Sequence, residues 1–262
     1  MSKFLLAVLL FTSVISCRSG VAQQAAPPLP VYDVVVIKLN KGLTRGTHTD
    51  MDDTTFQARN VSLKHLLVNT YGIREGQIFG LPGWADSARY DVSAKVTDPD
   101  LKVMRSLSRE QRQAMLAAIL VDRFHLQTHI EQKTLPVYEL VVAKGGPKLT
   151  VSAVQPSDAN PNAPGNMDVH NTDITATGVR LSELAGNLSF PLDRTVIDKT
   201  GLTGRYDFRL QWTEDNAANA GAANAPPNIF TAIQEQLGLK LQAAKGPVNT
   251  LVVDHVEQPT EN

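Results

Sequence analysis

The chain has 262 residues, with 25 Lys and Arg against 26 Asp and Glu and one cysteine. That near balance supplies neither the basic field that nucleic acid recruits nor a polybasic stretch for a membrane surface. A lone cysteine, placed at position 17, leaves no disulfide, and no thiol nucleophile or cysteine metal site outside a leader.

Met1-Ser2-Lys3 precedes an apolar run, FLLAVLLFTSVIS over residues 4–16, which is too short for a membrane span and reads as a secretory signal. Small residues at 19–22 set cleavage before Gln23, making 1–22 a signal peptide and 23–30 a leader. Val14-Ile15-Ser16-Cys17 offers a second exit, in which Cys17 is acylated and anchors the chain. Both routes predict an exported protein, periplasmic or extracellular, with no membrane span in the mature chain.

In the mature part, Val31–Leu39 and Thr54–Asn60 are strand-like, and HTDMDD at 48–53 between them reads as a solvated acidic loop. Ser62 opens a helix carrying Leu63, Leu66 and Leu67, and Gly72 closes it. Gln77–Leu81 and Tyr90–Val96 are strands separated by Pro82-Gly83. Ser108 with Gln111 forms a capping box ahead of a helix with Met115, Leu116, Ile119, Leu120 and Phe124. Two further strands follow, His125–Lys133 and Val137–Ala143, ending in the Gly145-Gly146-Pro147 turn. Residues 151–166 and 213–227 are rich in Ala, Asn and Pro and read as a linker and a flexible loop.

The second half echoes the first. Val61, Leu63 and Leu66 match Val179, Leu181 and Leu184 at a shift of 118, and Arg89-Tyr90-Asp91 matches Arg205-Tyr206-Asp207 at 116. The helix apolar positions match at 113, and PVYELVV at 136–142 matches PVNTLVV at 247–253 at 111. A slow drift in one direction is what small loop deletions produce. The expectation is an α+β fold with mainly antiparallel sheets, built from two related helix-strand-strand-helix-strand-strand units, 31–150 and 167–262.

Alternation places Tyr90 and Tyr206 toward a core, while Arg89 with Asp91, and Arg205 with Asp207, share the outer face. Exposed opposite charges on a strand serve solubility and weak pairing; the functional alternative is a symmetric ligand clamp from the four side chains. Trp84 and Trp212, near the ends of these strands, are the aromatic binding candidates, weighed against ordinary core packing.

Other chemistry finds no complete motif. His125 and His129 sit four apart, but on a strand that spacing is about 13 Å, too far for one metal ion. Lys199-Thr200-Gly201 resembles an element of penicillin-recognising serine enzymes, but no Ser-x-x-Lys accompanies it, so a turn is the simpler reading. Asp198 with Asp207, or Asp254 with Glu257, could form an acid and base pair only if the fold brings them together. No phosphate loop or calcium loop is present, so no cofactor and no metal are expected.

The run of motifs NVSLKHLLVNTYGI, QIFGLPGW, ARYDVSAK, MLAAILVDRFHLQTHIE, LPVYELVVAKGGPKL, VIDKTGLTGRYDFRLQW and KGPVNTLVVDHVEQPTEN resembles the soil-associated protein family abundant in acidobacteria, an exported domain of unknown function. The resemblance implies envelope duties, in some relatives behind a membrane metallopeptidase, and carries over no site residue. Three functions follow as expectations. They are a noncatalytic module binding an envelope protein, peptide or glycan; a hydrolase using carboxylates or Lys199; and a regulatory ectodomain linked to a membrane peptidase.

Overall fold

The structure, a computed structural model, describes residues 28–42, 46–153, 155, 165–213 and 226–260. Cys17, the signal peptide, most of the leader, and most of the two spacers lie outside the described residues.

The first half pairs β1 (Val34–Leu39), β2 (His48–Met51), β3 (Thr55–Val61) and β5 (Tyr90–Lys95) into an antiparallel sheet ordered β1-β5-β3-β2. One face is apolar because Phe56, Ala58, Tyr90, Val92 and Ala94 alternate inward. Against it pack α1 (Leu63–Tyr71) and α4 (Arg109–Phe124), which bury Leu63, Leu67, Leu120 and Phe124. Ser62 caps α1 by accepting from the His65 N–H, and Gly72 ends it in the left-handed region. Ser108 and Gln111 form both bonds of the expected capping box. Two short helices, α2 (Trp84–Ser87) and α3 (Leu101–Ser106), lie on the flanks and were not legible in the periodicity.

In the second half β7 (Thr150–Val151), β8 (Asn166–His170), β9 (Asp173–Val179) and β11 (Tyr206–Gln211) form another four-stranded antiparallel sheet, ordered β7-β11-β9-β8. Its helices are α5 (Leu181–Leu188) and α6 (Ile229–Leu237), and its core holds Leu181, Leu184, Leu188, Leu210 and Ile233.

A long ribbon joins the two bodies. The segments expected as two strands, His125–Lys133 and Val137–Ala143, are one continuous strand, β6 (Gln127–Val142). It pairs antiparallel along its length with β12 (Leu239–His255). One end of the ribbon closes the first core with Leu251 and Val253, and the other closes the second with Leu140, Leu239 and Leu241. Short parallel strands flank it: β4 (Ile78–Phe79) beside β12, and β10 (Val196–Asp198) beside β6, giving the order β10-β6-β12-β4.

Proline explains why the ribbon reads as broken in sequence. Pro136 and Pro247 lie at its centre, where a ladder of several strands would miss their N–H groups. The Tyr138 N–H points outward to the Thr195 carbonyl, so Pro136, two residues earlier, presents its missing donor to an open edge, where no partner is lost.

The acidic segment 48–53 also differs from expectation. His48–Met51 is a strand on β3, and Asp52 closes the turn by accepting from the Thr54 and Thr55 N–H groups, both at 2.7 Å. Those amides and the Thr55 hydroxyl hold the Asp52 carboxyl at about 2. Asp53 pairs with Arg105 and Arg112 at 3.1 and 3.3 Å.

Candidate functional site

The twin Arg-Tyr-Asp triplets resolve into backbone latches. Tyr90 is buried, with its ring edge-on to Phe124 at 5.5 Å, and Tyr206 is buried in the second core. Burial raises the Tyr90 hydroxyl above its ordinary value. Beside each tyrosine the sheet carries an irregularity: Asn60 at φ 55 before Val61, and Gly178 at φ 67 before Val179. Each aspartate spans it. Asp91 Oδ1 accepts from the Asn60 N–H at 2.9 Å and from Asn40 Nδ2 at 2.9 Å; Asp207 Oδ1 accepts from the Gly178 N–H at 2.7 Å. A bulge leaves a donor unpaired, and a carboxylate one strand over satisfies it.

The arginines diverge. Arg89 donates to the Asp86 carbonyl at 2.6 Å. Arg205, expected on the outer face, is only 3% exposed and donates through Nη1 to the Gly178 carbonyl at 2.7 Å. Arg205 stands just before β11, and the extra residue in β9 brings Gly178 within its reach, so the triplet's Arg and Asp grip the two sides of that one residue. Asp91, Asp207 and Arg205 thus bond within their own sheets, and Arg89 to the end of α2. Trp84 packs half-buried on the first core, and Trp212 is 5% exposed within the second.

The remaining candidates are likewise engaged locally. Asp198 accepts from the Thr200 N–H and hydroxyl, which makes the 198–201 segment a turn with Lys199 exposed upon it. His129 pairs with Asp254 and His255 with Glu257, each at 2.9 Å, so those carboxylates take different partners. Among the described residues no group of three or more His, Cys, Asp or Glu gathers to hold a metal.

Polar side chains from both halves converge elsewhere, where two helix-to-strand turns meet at the middle of the ribbon. In the first half, the chain leaves α1 at Gly72 and makes a tight turn over Glu75–Gln77 before β4. Gln77 fixes that turn: its Oε1 accepts from the Arg74 N–H, and its Nε2 donates to the Asn249 carbonyl of β12. In the second half, the chain leaves α5 at Ser189, whose buried hydroxyl accepts from the Val196 N–H at 2.8 Å, and turns at Asp193, φ 43, into β10. The Arg74 guanidinium bridges the turns by donating to the Thr195 hydroxyl, across 121 residues of sequence.

The cleft so formed has a volume of about 220 Å³. Arg74, Gly76 and Gln77 line one side, Asp193, Arg194 and Thr195 the other, and Leu135 and Pro136 of β6 form the floor. Arg194 stacks on the Tyr138 ring at 4.7 Å, and Tyr138 meets Phe230 edge-on at 5.5 Å. Burial lowers the Arg74 pKa, opposed by the nearby charge of Asp193. Two guanidinium groups against one carboxylate leave the cleft cationic, with planar donor forks suited to a carboxylate or another oxyanion.

Sequence reasoning missed these residues. Their meeting depends on where β4 and β10 register on the ribbon, and no local pattern around Arg74 or Asp193-Arg194 signals it. The repeated PV of PVYELVV and PVNTLVV was the available clue, because it marks the centre of the ribbon.

The molecule is thus an α+β protein of two sheet-and-helix bodies on a shared ribbon, with a donor-rich cleft at the junction. It belongs to DUF3738, a protein family of unknown function, whose model matches residues 64–256 and so takes in both walls of the cleft. No curated protein and no solved structure is significantly similar to it.

Proposed function

We propose that the protein is an exported, noncatalytic binding module of the cell envelope, which holds an anionic group of its partner in the cleft between its halves. The observation that carries this reading is the convergence of Arg74 and Arg194 from opposite halves, with Arg194 pre-set by its stack on Tyr138. A guanidinium held in place loses little freedom on forming its bonds, which favours binding. Above the apolar floor of Leu135 and Pro136 the only charged lining side chains are Arg74, Arg194 and Asp193, and the Thr195 hydroxyl accepts from Arg74. The leader FLLAVLLFTSVIS supports export, as does the resemblance to exported soil-associated proteins.

Thermal shift against a panel of carboxylates, acidic sugars and peptides tests the binding role. The expected result is stabilisation of the wild type by a carboxylate-bearing member and loss of that stabilisation in Arg194→Gln, whose own melting temperature stays near wild type. A panel that leaves the wild type unmoved, or a hit that Arg194→Gln binds equally well, contradicts the reading. Mass spectrometry of the chain from its native host tests export: the expected N-terminus is Gln23 or an acylated Cys17, and an intact Met1 refutes it.

A further inference from the structure

The geometry points to the class of ligand: the C-terminal segment of an extended polypeptide, which adds a strand to the open edge of β6 and lays its terminal carboxylate in the cleft. This inference rests on the anion-binding role proposed above.

Three observations converge on it. First, the even-numbered residues of β6 face outward, since the Tyr138 N–H donates to the Thr195 carbonyl and the Leu140 carbonyl accepts from the Lys199 N–H. By the same alternation Ile130, Gln132 and Thr134 turn their N–H and C=O groups away from β12, and among the described residues no strand pairs with them. Edges of this kind are commonly blunted by lysine or by covering structure. Here the stretch's lysine, Lys133, is drawn over the ribbon onto Glu131 and the Phe79 ring, while Gln132 and Thr134 are exposed and Ile130 is 59% exposed.

Second, direction is set by β10, which runs parallel to β6 and begins beside Tyr138. A peptide in the same direction on the open stretch lies in line with β10 and ends where β10 begins. Pro136, having no N–H, halts the ladder at that point. Third, the peptide's end meets the cleft floor at Leu135 and Pro136, in the cleft that Arg74 and Arg194 also line. A parallel peptide delivers its carboxylate there and an antiparallel one its ammonium, and the excess of arginine selects the first. Main-chain pairing then gives affinity, Ile130 offers an apolar contact to an alternate side chain, and the carboxylate fixes the register.

The experiment is fluorescence polarisation with an arrayed library of randomised hexapeptides, synthesised with free C-termini and again as C-terminal amides. Free-acid peptides are expected to bind, with amidation weakening them on the order of tenfold or more. Arg194→Gln is expected to reproduce that loss, and Gln132→Pro, which removes one outward N–H without touching the bonds to β12, to weaken the same peptides by a similar factor. Equal binding of acids and amides overturns the inference. Binding that survives Gln132→Pro overturns the strand pairing while leaving the cleft as an anion site. Stabilisation by small carboxylates with no peptide bound overturns the inference alone, whereas no response to any anion removes the underlying reading too. Should Gln132→Pro fail to fold, amide exchange in the wild type decides: the bound peptide is expected to slow exchange at Ile130, Gln132 and Thr134, and unchanged exchange there overturns the pairing.

Discussion

Replacing the aspartate of each Arg-Tyr-Asp triplet by alanine distinguishes a structural latch from a ligand clamp. Asp91→Ala strands the Asn60 N–H and the Asn40 amide, and Asp207→Ala strands the Gly178 N–H beside the buried Arg205. A hydrogen bond to a charged group contributes about 1.5–3 kcal/mol, which solvent screening of the half-exposed aspartates reduces to about 1–2 kcal/mol each. For a chain of this size that lowers the melting temperature by roughly 2–8 °C. Asparagine retains an acceptor oxygen and is expected to lose about half as much. Differential scanning calorimetry of the four variants is the assay, with binding measured alongside. The latch reasoning is refuted if all four melt with the wild type, and a clamp is indicated if they also lose ligand.

Three further outcomes follow from the packing. Phe124→Ala empties a fully buried site against Tyr90 and is expected to lower unfolding free energy in urea by about 3–5 kcal/mol; a change below about 1 kcal/mol contradicts its place in the core. At Gly238, φ 64, a Cβ would lie 2.1 Å from the Gly146 carbonyl oxygen, so Gly238→Ala is expected to abolish soluble folded protein while Gly83→Ala, with open space around it, folds normally. Soluble, wild-type-like Gly238→Ala would contradict that. Because the folded Asp52 carboxyl sits at about 2, below its unfolded value, its stabilisation is complete above roughly pH 4 and is lost as pH falls toward 2. Asp52→Asn is expected to flatten that part of the stability profile, and identical profiles for mutant and wild type would sink the assignment.

Local chemistry was readable where a residue's role is set by its neighbours in sequence. Ser62, Gly72, Ser108 with Gln111, and the inward tyrosines all stand where alternation and capping put them. Roles decided across the fold were not readable. The expected gap between His125–Lys133 and Val137–Ala143 holds Pro136, and a proline inside a sheet leaves a neighbouring carbonyl without its donor; only the open edge of the ribbon at that point makes it harmless. Arg205 suggested a solvated face because nothing in its own segment announces the bulge at Gly178, one strand over, whose carbonyl takes its guanidinium. The cleft was hidden for a stronger reason: Arg74 and Arg194 come together only after both halves dock on one ribbon.

That docking makes the cleft the place where a bound partner is expected to perturb the protein. Amide chemical-shift mapping with a free-acid hexapeptide from the library tests it most directly. Shifts are expected to centre on Gly76, Gln77, Asp193, Arg194 and Thr195 and to continue along Ile130, Gln132 and Thr134. Shifts confined to the outer sheet faces around Asp91 or Asp207, with the junction silent, would contradict it.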